Sequence, residues 1–272
     1  MAKALEIPVR TQEDSVSLAL TKYHAKAFDG DLTSRTYLLG LRAGDLHAQV
    51  HGRRIRTSSV GTTHPAMAEL FHLAFSGFAE VRRYPNHNGV TGFHWCIFSD
   101  LDPTFDFLLK KPTKIPDWIL KDEKFFYSFL AGYFDAEGCV GFDVRHSNHT
   151  VSLILKSCDY GILRDAYATL ADDQYTPTTL LDKMAGEQGL NSDLWVLRIG
   201  RRASVLRLLN KMPLRHSEKV AKSNLVKSIA SSGWRDGWKD VGLPRTSIAA
   251  DVRRFKREAQ DALATTRQPH SA

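Results

Sequence analysis

Two carboxylates stand at the ends of two segments that are versions of one another. The first segment is Leu38-Leu39-Gly40-Leu41-Arg42-Ala43-Gly44-Asp45, and the second is Leu130-Ala131-Gly132-Tyr133-Phe134-Asp135-Ala136-Glu137-Gly138. Each reads as the last two turns of a helix. Each carries small residues four apart, Gly40 with Gly44 and Gly132 with Ala136, and residues at that spacing share one helix face. Small residues let two backbones approach closely. The two segments are therefore expected to pack on each other and to bring Asp45 and Glu137 out side by side. Two adjacent carboxylates suit a divalent cation held against a phosphodiester. An acid at a helix C-terminus opposes the helix dipole, and an unfavourable placement made twice points to chemistry rather than to structure.

The second segment closely resembles the LAGLIDADG motif of homing endonucleases, and the first resembles a looser form that closes on Gly-Asp. With two copies, the chain is similar to the monomeric, two-motif members of that family from about Thr33 to about Lys227. The resemblance implies an α+β fold of two pseudo-symmetric αββαββα halves, each with a curved antiparallel sheet, joined through the two packed motif helices. It implies Mg²⁺ or Mn²⁺ bound by Asp45 and Glu137, helped by the carbonyls of Gly44 and Ala136. It further implies a basic residue near the metals in each half. Lys219, with Lys222 behind it, is the candidate in the second half, and Lys114 or Lys111 in the first. Asp135 is expected to be structural or a cap. The first motif departs from the pattern at Leu46, where a glycine would ease the exit from the helix through a left-handed conformation.

The elements that must position these acids are legible as a repeat. After Asp45 comes a hairpin, 46–50 and 54–58, turning at His51-Gly52. A helix capped by Thr63 or His64, with Pro65 in its first turn, is expected to reach Phe75. Strands follow at 80–84 and 93–98, separated by the turn-rich Pro85-Asn86-His87-Asn88-Gly89, and then a helix from Asp102-Pro103 to Lys110. The second half repeats the order. Strands are expected at 139–145 and 150–156, a helix capped by Asp159 to Leu170, strands at 178–183 and 194–199, and a helix at 203–210. The resulting division is an N-terminal extension (1–32), a first half (33–111), a linker bracketed by Pro112 and Pro116 (112–122), a second half (123–228) and a basic C-terminal extension (229–272). In that extension 248–263 reads as a basic helix that either clasps DNA or packs on the second half.

Strand residues alternate faces. In the first hairpin Ala48, Val50, Ile55 and Thr57 are expected to face the core, leaving His47, Gln49, His51, Arg54, Arg56 and Ser58 together on the outside. These side chains carry the donors and acceptors that read base edges and phosphates. In the second half Val140, Phe142 and Val144 are expected inside, with Asp143, Arg145, Ser152, Ile154 and Lys156 outside and Arg198 extending that surface. His47, two residues beyond Asp45, is near enough to reach a phosphate, although a place on the polar strand face accounts for it better. The two sets differ, so a fused pair should read a long asymmetric site where identical halves would read a palindrome.

Bulk properties agree with a nucleic-acid partner. The 272 residues carry 37 lysines and arginines against 30 acids, for a formal charge of +7. The charge is uneven, with 16 basic and 6 acidic residues in 201–272, and a basic region suits a polyanion. Cys96, Cys139 and Cys158 are too few and too scattered for a disulfide framework, which suggests a reducing, intracellular compartment. No apolar N-terminal region and no membrane-length apolar stretch is present. The chain begins Met-Ala and ends His-Ser-Ala, without the Cys or Ser start and His-Asn end of a splicing domain, so a free-standing protein rather than an intein is expected, and the two motifs in one chain imply a monomer. The leading function is a site-specific double-strand DNA endonuclease. The alternatives are an intron-RNA-binding maturase, whose binding would not need the two acids, and a DNA-binding regulator that no longer cuts.

Overall fold

The computed structural model describes residues 25–89, 92–143, 149–234, 238 and 245–266. In chain order the elements are α1 (Leu32–Ala43), β1 (His47–His51), β2 (Arg54–Thr62), α2 (Pro65–Phe75), β3 (Val81–Asn88), β4 (Gly92–Leu101), a 3-10 helix (Pro103–Leu108), α3 (Asp117–Leu120), α4 (Glu123–Glu137), β5 (Gly138–Asp143), β6 (Thr150–Ser157), α5 (Tyr160–Asp172), β7 (Thr178–Lys183), β8 (Leu194–Ile199), α6 (Arg202–Lys211), α7 (Ser217–Ser231) and α8 (Arg245–Thr266). The fold is α+β. Two four-stranded antiparallel sheets repeat one strand order, β1-β2-β4-β3 and β5-β6-β8-β7. The chain forms two compact units, one from residues 1–29, 46–109 and 242–272 and the other from 30–45 and 110–241. The first motif helix, α1, thus belongs to the same unit as the second motif helix, α4.

In the first unit one face of the sheet is apolar, with Ile55, Val81, Trp95, Ile97 and Leu101 all buried. The basic tail helix α8 lies on β3 and β4 of this sheet, not on the second half. Its Phe255 and Ala259, one turn apart, are buried, while Arg253, Arg254 and Arg257 stay exposed. The apolar pair gives the helix one face to bury. Trp95 Nε1 donates to the carbonyl of Phe255 at 3.0 Å, and the Arg83 guanidinium lies over the Trp95 ring at 4.3 Å.

Several boundaries differ from the sequence reading. Strand β3 continues through Pro85 to Asn88, with Pro85 opposite Trp95. It is an edge strand, where a missing N–H costs no ladder bond. The helix expected at 102–110 is a 3-10 helix, capped by the Asp102 carboxylate accepting from the Thr104 amide at 3.0 Å. Val50, expected in the core, is 65% exposed. It lies on the edge strand β1 beside the Gly52 turn, across from buried Ile55. Val144 and Arg145 lie outside the described residues. Asp159 sits at the start of α5 but makes no side-chain cap bond. Its carboxylate instead takes Lys111 at 3.3 Å and the Ser157 hydroxyl at 3.3 Å. Helix α7 has no counterpart among the elements expected from the sequence.

In the second unit the inner face of the other sheet, through Val140, Leu153, Leu155 and Leu197, is buried with Leu130 and Phe134 of α4 and Leu208 of α6. The described residues contain no helix long and apolar enough to cross a membrane.

Candidate active site

The site is built where α1 and α4 cross with almost no space between their backbones. A Cβ on Gly40 would stand 2.1 Å from the Phe129 carbonyl oxygen, and one on Gly132 would stand 2.1 Å from that of Tyr37. A Cβ on Gly44 would meet Ala136 Cβ at 2.4 Å. The four small residues read from the sequence are thus the contact itself. Ser128 Oγ, donating to the Thr33 carbonyl at 2.7 Å, adds a bond between the same two helices.

This crossing delivers the acids. Helix α1 stops at Ala43, and Gly44 closes it with its N–H on the Leu41 carbonyl at 3.2 Å, so Asp45 follows the helix end and Leu46 is buried. Helix α4 runs through Glu137. A Cβ on Gly44 would lie 3.3 Å from Glu137 Oε1, which puts the Glu137 carboxylate against the residue preceding Asp45. The exit after α4 is not left-handed. Gly138 is extended, with φ −87° and ψ 160°. Glycine is required there because a Cβ would meet the Phe134 ring at 2.4 Å.

The electrostatics are those of two acids forced together. Burial, and then the charge of Asp45, pushes the Glu137 carboxyl up to about 7. Burial raises Asp45 as well, opposed by the charges of Lys219 and Lys111. Like charges in a partly desolvated place resist ionising together, and a cation relieves both burdens. The donors present are carboxylate and carbonyl oxygens, which fit a hard divalent cation. Among the described residues no group of three or more His, Cys, Asp and Glu converges to hold a metal. The chain would therefore supply Asp45, Glu137 and nearby carbonyls, and the remaining positions would go to water and phosphate, as suits Mg²⁺.

Three further groups fix the end of α4. Lys219 is 8% exposed. Its ammonium donates to the carbonyls of Phe134 at 2.7 Å, Asp135 at 2.6 Å and Ala136 at 3.4 Å. These carbonyls lie in the last turn of the helix, where Phe134 also accepts from the Gly138 amide, and a cation there offsets the dipole that the acids oppose. Burial lowers Lys219 to about 8, with Asp135 and Asp45 pulling it back up. Asp135 is fully buried. Its Oδ2 accepts from the Tyr37 hydroxyl at 2.6 Å and from the amides of Arg215 and His216 at 2.7 and 3.2 Å. It thereby joins α1, α4 and the entry to α7, and the Arg215 guanidinium lies over the Tyr37 ring at 4.0 Å. Replacing Lys219 with methionine is expected to fray this end. Amide exchange at 134–138 should speed up at least tenfold, with a stability loss of about 2–4 kcal/mol in urea titrations.

Of the other candidates, Lys114 is exposed and paired with Asp117 at 2.9 Å. Lys111 is instead the residue whose charge reaches Asp45 and Glu137. Lys222 pairs with Glu218 at 2.5 Å. On the first sheet the pairs His47–Ser58, Gln49–Arg56 and His51–Arg54 stand directly across from each other, so all six share the outward face. His47, Gln49 and His51 are exposed, and Arg54, Arg56 and Ser58 are partly so. Sequence reasoning missed their neighbours Arg82, Tyr84 and Asp100. Alternation along 81–88 puts Arg82 and Tyr84 on one face, but Asp100 is assigned only by its pairing with Arg56. On the second sheet Lys156 and Arg198 are exposed, and Lys156 holds Asp182 at 2.6 Å.

No protein-family model and no curated sequence matches this chain. Its fold is similar to that of the homing endonuclease I-WcaI bound to its DNA recognition sequence, with 15% identity and a TM-score of 0.44 over 76% of this chain and 90% of that one. It is also similar to I-DmoI in complex with DNA and Ca, with 16% identity and a TM-score of 0.46 over 70% and 97%. A third likeness is to the N-terminal LAGLIDADG domain of DUF199/WhiA, with 15% identity and a TM-score of 0.42 over 80% and 100%.

Proposed function

We propose that this protein is a site-specific endonuclease that cuts both strands of a long asymmetric DNA duplex by metal-dependent phosphodiester hydrolysis. The observation that supports this reading best is the pair Asp45 and Glu137, two acids brought together at a close helix crossing, with Glu137 raised in pKa by burial and then by Asp45, and Asp45 raised by burial against the charges of Lys219 and Lys111. A structural ion pair would place a cation of the chain between them. Here the two ammonium groups whose charges reach the acids are engaged elsewhere, Lys219 on the carbonyls of α4 and Lys111 on Asp159.

A divalent cation held by these acids, with Mg²⁺ or Mn²⁺ the choices that oxygen donors favour, would lower the pKa of a bound water and offset charge developing on the phosphate. The chain's own part is positioning. Gly40, Gly44, Gly132 and Ala136 fix how closely the two helix ends approach. Asp135 and Lys219 hold the last turn of α4, so Glu137 is presented from an anchored backbone. In this reading Lys219 is a positioning residue whose charge also favours the ionised form of Asp45. The outward faces of the two sheets contact the duplex through His47, Gln49, His51, Arg54, Arg56 and Ser58 on one, and Lys156 and Arg198 on the other. Because these sets differ, the target is asymmetric.

The test is incubation with a randomised duplex library in Mg²⁺ and in EDTA, followed by sequencing of the cut ends. Cuts at one asymmetric sequence, present only with metal, are expected. Specific binding without cleavage in Mg²⁺ or Mn²⁺ would leave a DNA-binding regulator in place of a nuclease. Absence of specific DNA binding would shift the reading to a protein of intron RNA.

A further inference from the structure

The outward faces of the two sheets differ in chemistry, and the difference bears on which bases the endonuclease proposed above would read. On the first face Arg56 donates to both oxygens of Asp100 at 2.7 and 2.9 Å, and Arg82 donates to the same carboxylate at 3.0 Å. Both guanidinium groups lie over the Phe98 ring, each 4.9 Å from its centroid. One carboxylate and one ring therefore hold two planar cations in place, and a fixed fork loses less freedom on binding. Arginine paired to the O6 and N7 of guanine is the commonest base-specific contact in the major groove.

The second face has no such cluster among its described residues. Its register sets Ile154 across from Cys139 and from Arg198, and Lys156 across from Val196, which in turn faces Leu180. Cross-strand partners share a face, so Ile154, Val196 and Leu180 form an aliphatic strip there. Leu180 is 50% exposed, and Ile154 and Val196 are partly exposed. Exposed Lys156 and Arg198 flank the strip, placing cations for phosphates beside an apolar centre. The apolar group that the major groove offers to such a centre is the 5-methyl of thymine.

We infer that the DNA target is split in composition: the first sheet reads guanines through Arg56 and Arg82, and the second reads thymine methyls through Ile154, Val196 and Leu180. This rests on the endonuclease reading, and the experiment separates the two. The sequence recovered from the library is resynthesised with uracil for thymine in one half or the other, a change that deletes the methyl and nothing else. Binding is then measured by competition in EDTA. Uracil in one half is expected to weaken binding about three- to fivefold per contacted methyl, while uracil in the other half leaves it unchanged. Ile154→Ala should erase that sensitivity. Arg56→Lys, which keeps the charge and loses the fork, should leave the sensitivity intact and relax guanine preference in the opposite half. A recovered site that is indifferent to uracil in both halves, or a uracil effect that survives Ile154→Ala undiminished, overturns this inference and leaves the nuclease standing. Failure to recover any site overturns both.

Discussion

Replacing Gly40 or Gly132 with valine is expected to unfold the unit that carries the acids. Even the first added carbon would sit 2.1 Å from a carbonyl oxygen of the facing helix, well inside any allowed contact. The neighbour is backbone, so relief requires α1 and α4 to separate along their length. Ser128 and Tyr37, which bridge the same helices through Thr33 and Asp135, would separate with them. Overpacking of a tight core costs about 1–3 kcal/mol where side chains can give way. Where only backbone can move, a loss of about 4 kcal/mol or more is expected, against a typical total stability of about 5–15 kcal/mol. Alanine makes the sharper test, because it favours an isolated helix over glycine by about 1 kcal/mol. Gly40→Ala and Gly132→Ala should nevertheless lower the urea midpoint substantially. Gly77→Ala, where an added Cβ meets nothing within 4 Å, should stay within about 0.5 kcal/mol of the wild type. Equal effects at all three positions would mean that the helices are not held at this distance.

That close approach was legible in the sequence because it depends on what is missing. Four small residues at helical spacing leave a groove that only another backbone fills well, and the same pattern twice located both acids. The alternating strands were legible for a similar reason, and β7 and β8 fall where expected. What could not be read is what depends on a partner distant in the chain. Asp159 looks like a helix cap, but Lys111 and Ser157 are there to claim its carboxylate. Arg56 looks like an unbraced base-reading side chain, and only the fold shows that Asp100, 44 residues on, holds its guanidinium through two of its nitrogens. Lys219 is singled out by the family resemblance as a basic residue near the acids, but its engagement of the carbonyls at the end of α4 depends on the fold. The tail helix shows an apolar stripe in its sequence without saying which sheet will receive it.

Converting either acid to its amide is expected to have opposite effects on chemistry and stability. Asp45→Asn and Glu137→Gln should each reduce cleavage by on the order of a thousandfold or more, and the double variant should be little worse than either, because groups that act as a unit are lost together. In EDTA, however, Glu137→Gln should make the protein more stable. The Glu137 carboxyl stands at about 7 in the fold, through burial and then Asp45, above an ordinary value of 4.5. The folded state therefore binds more protons than the unfolded chain between those two pH values, and stability falls as pH rises through that window. Above pH 7 the full cost of the charge is present. Below about pH 4.5 both states are protonated and the cost disappears. Allowing for screening at a partly exposed carboxyl, glutamine should recover about 1–3 kcal/mol at pH 8, or several degrees in Tm, and less than about 0.5 kcal/mol at pH 4.5. Mg²⁺ reverses the order. It binds the folded wild type and raises its Tm with concentration, while the amide variant, with half the charge to offer, responds weakly. Thermal melts at pH 4.5 and 8, with EDTA and with Mg²⁺, would decide the matter. A Glu137→Gln variant less stable than the wild type in EDTA at pH 8 would mean that Glu137 serves the fold rather than a cation.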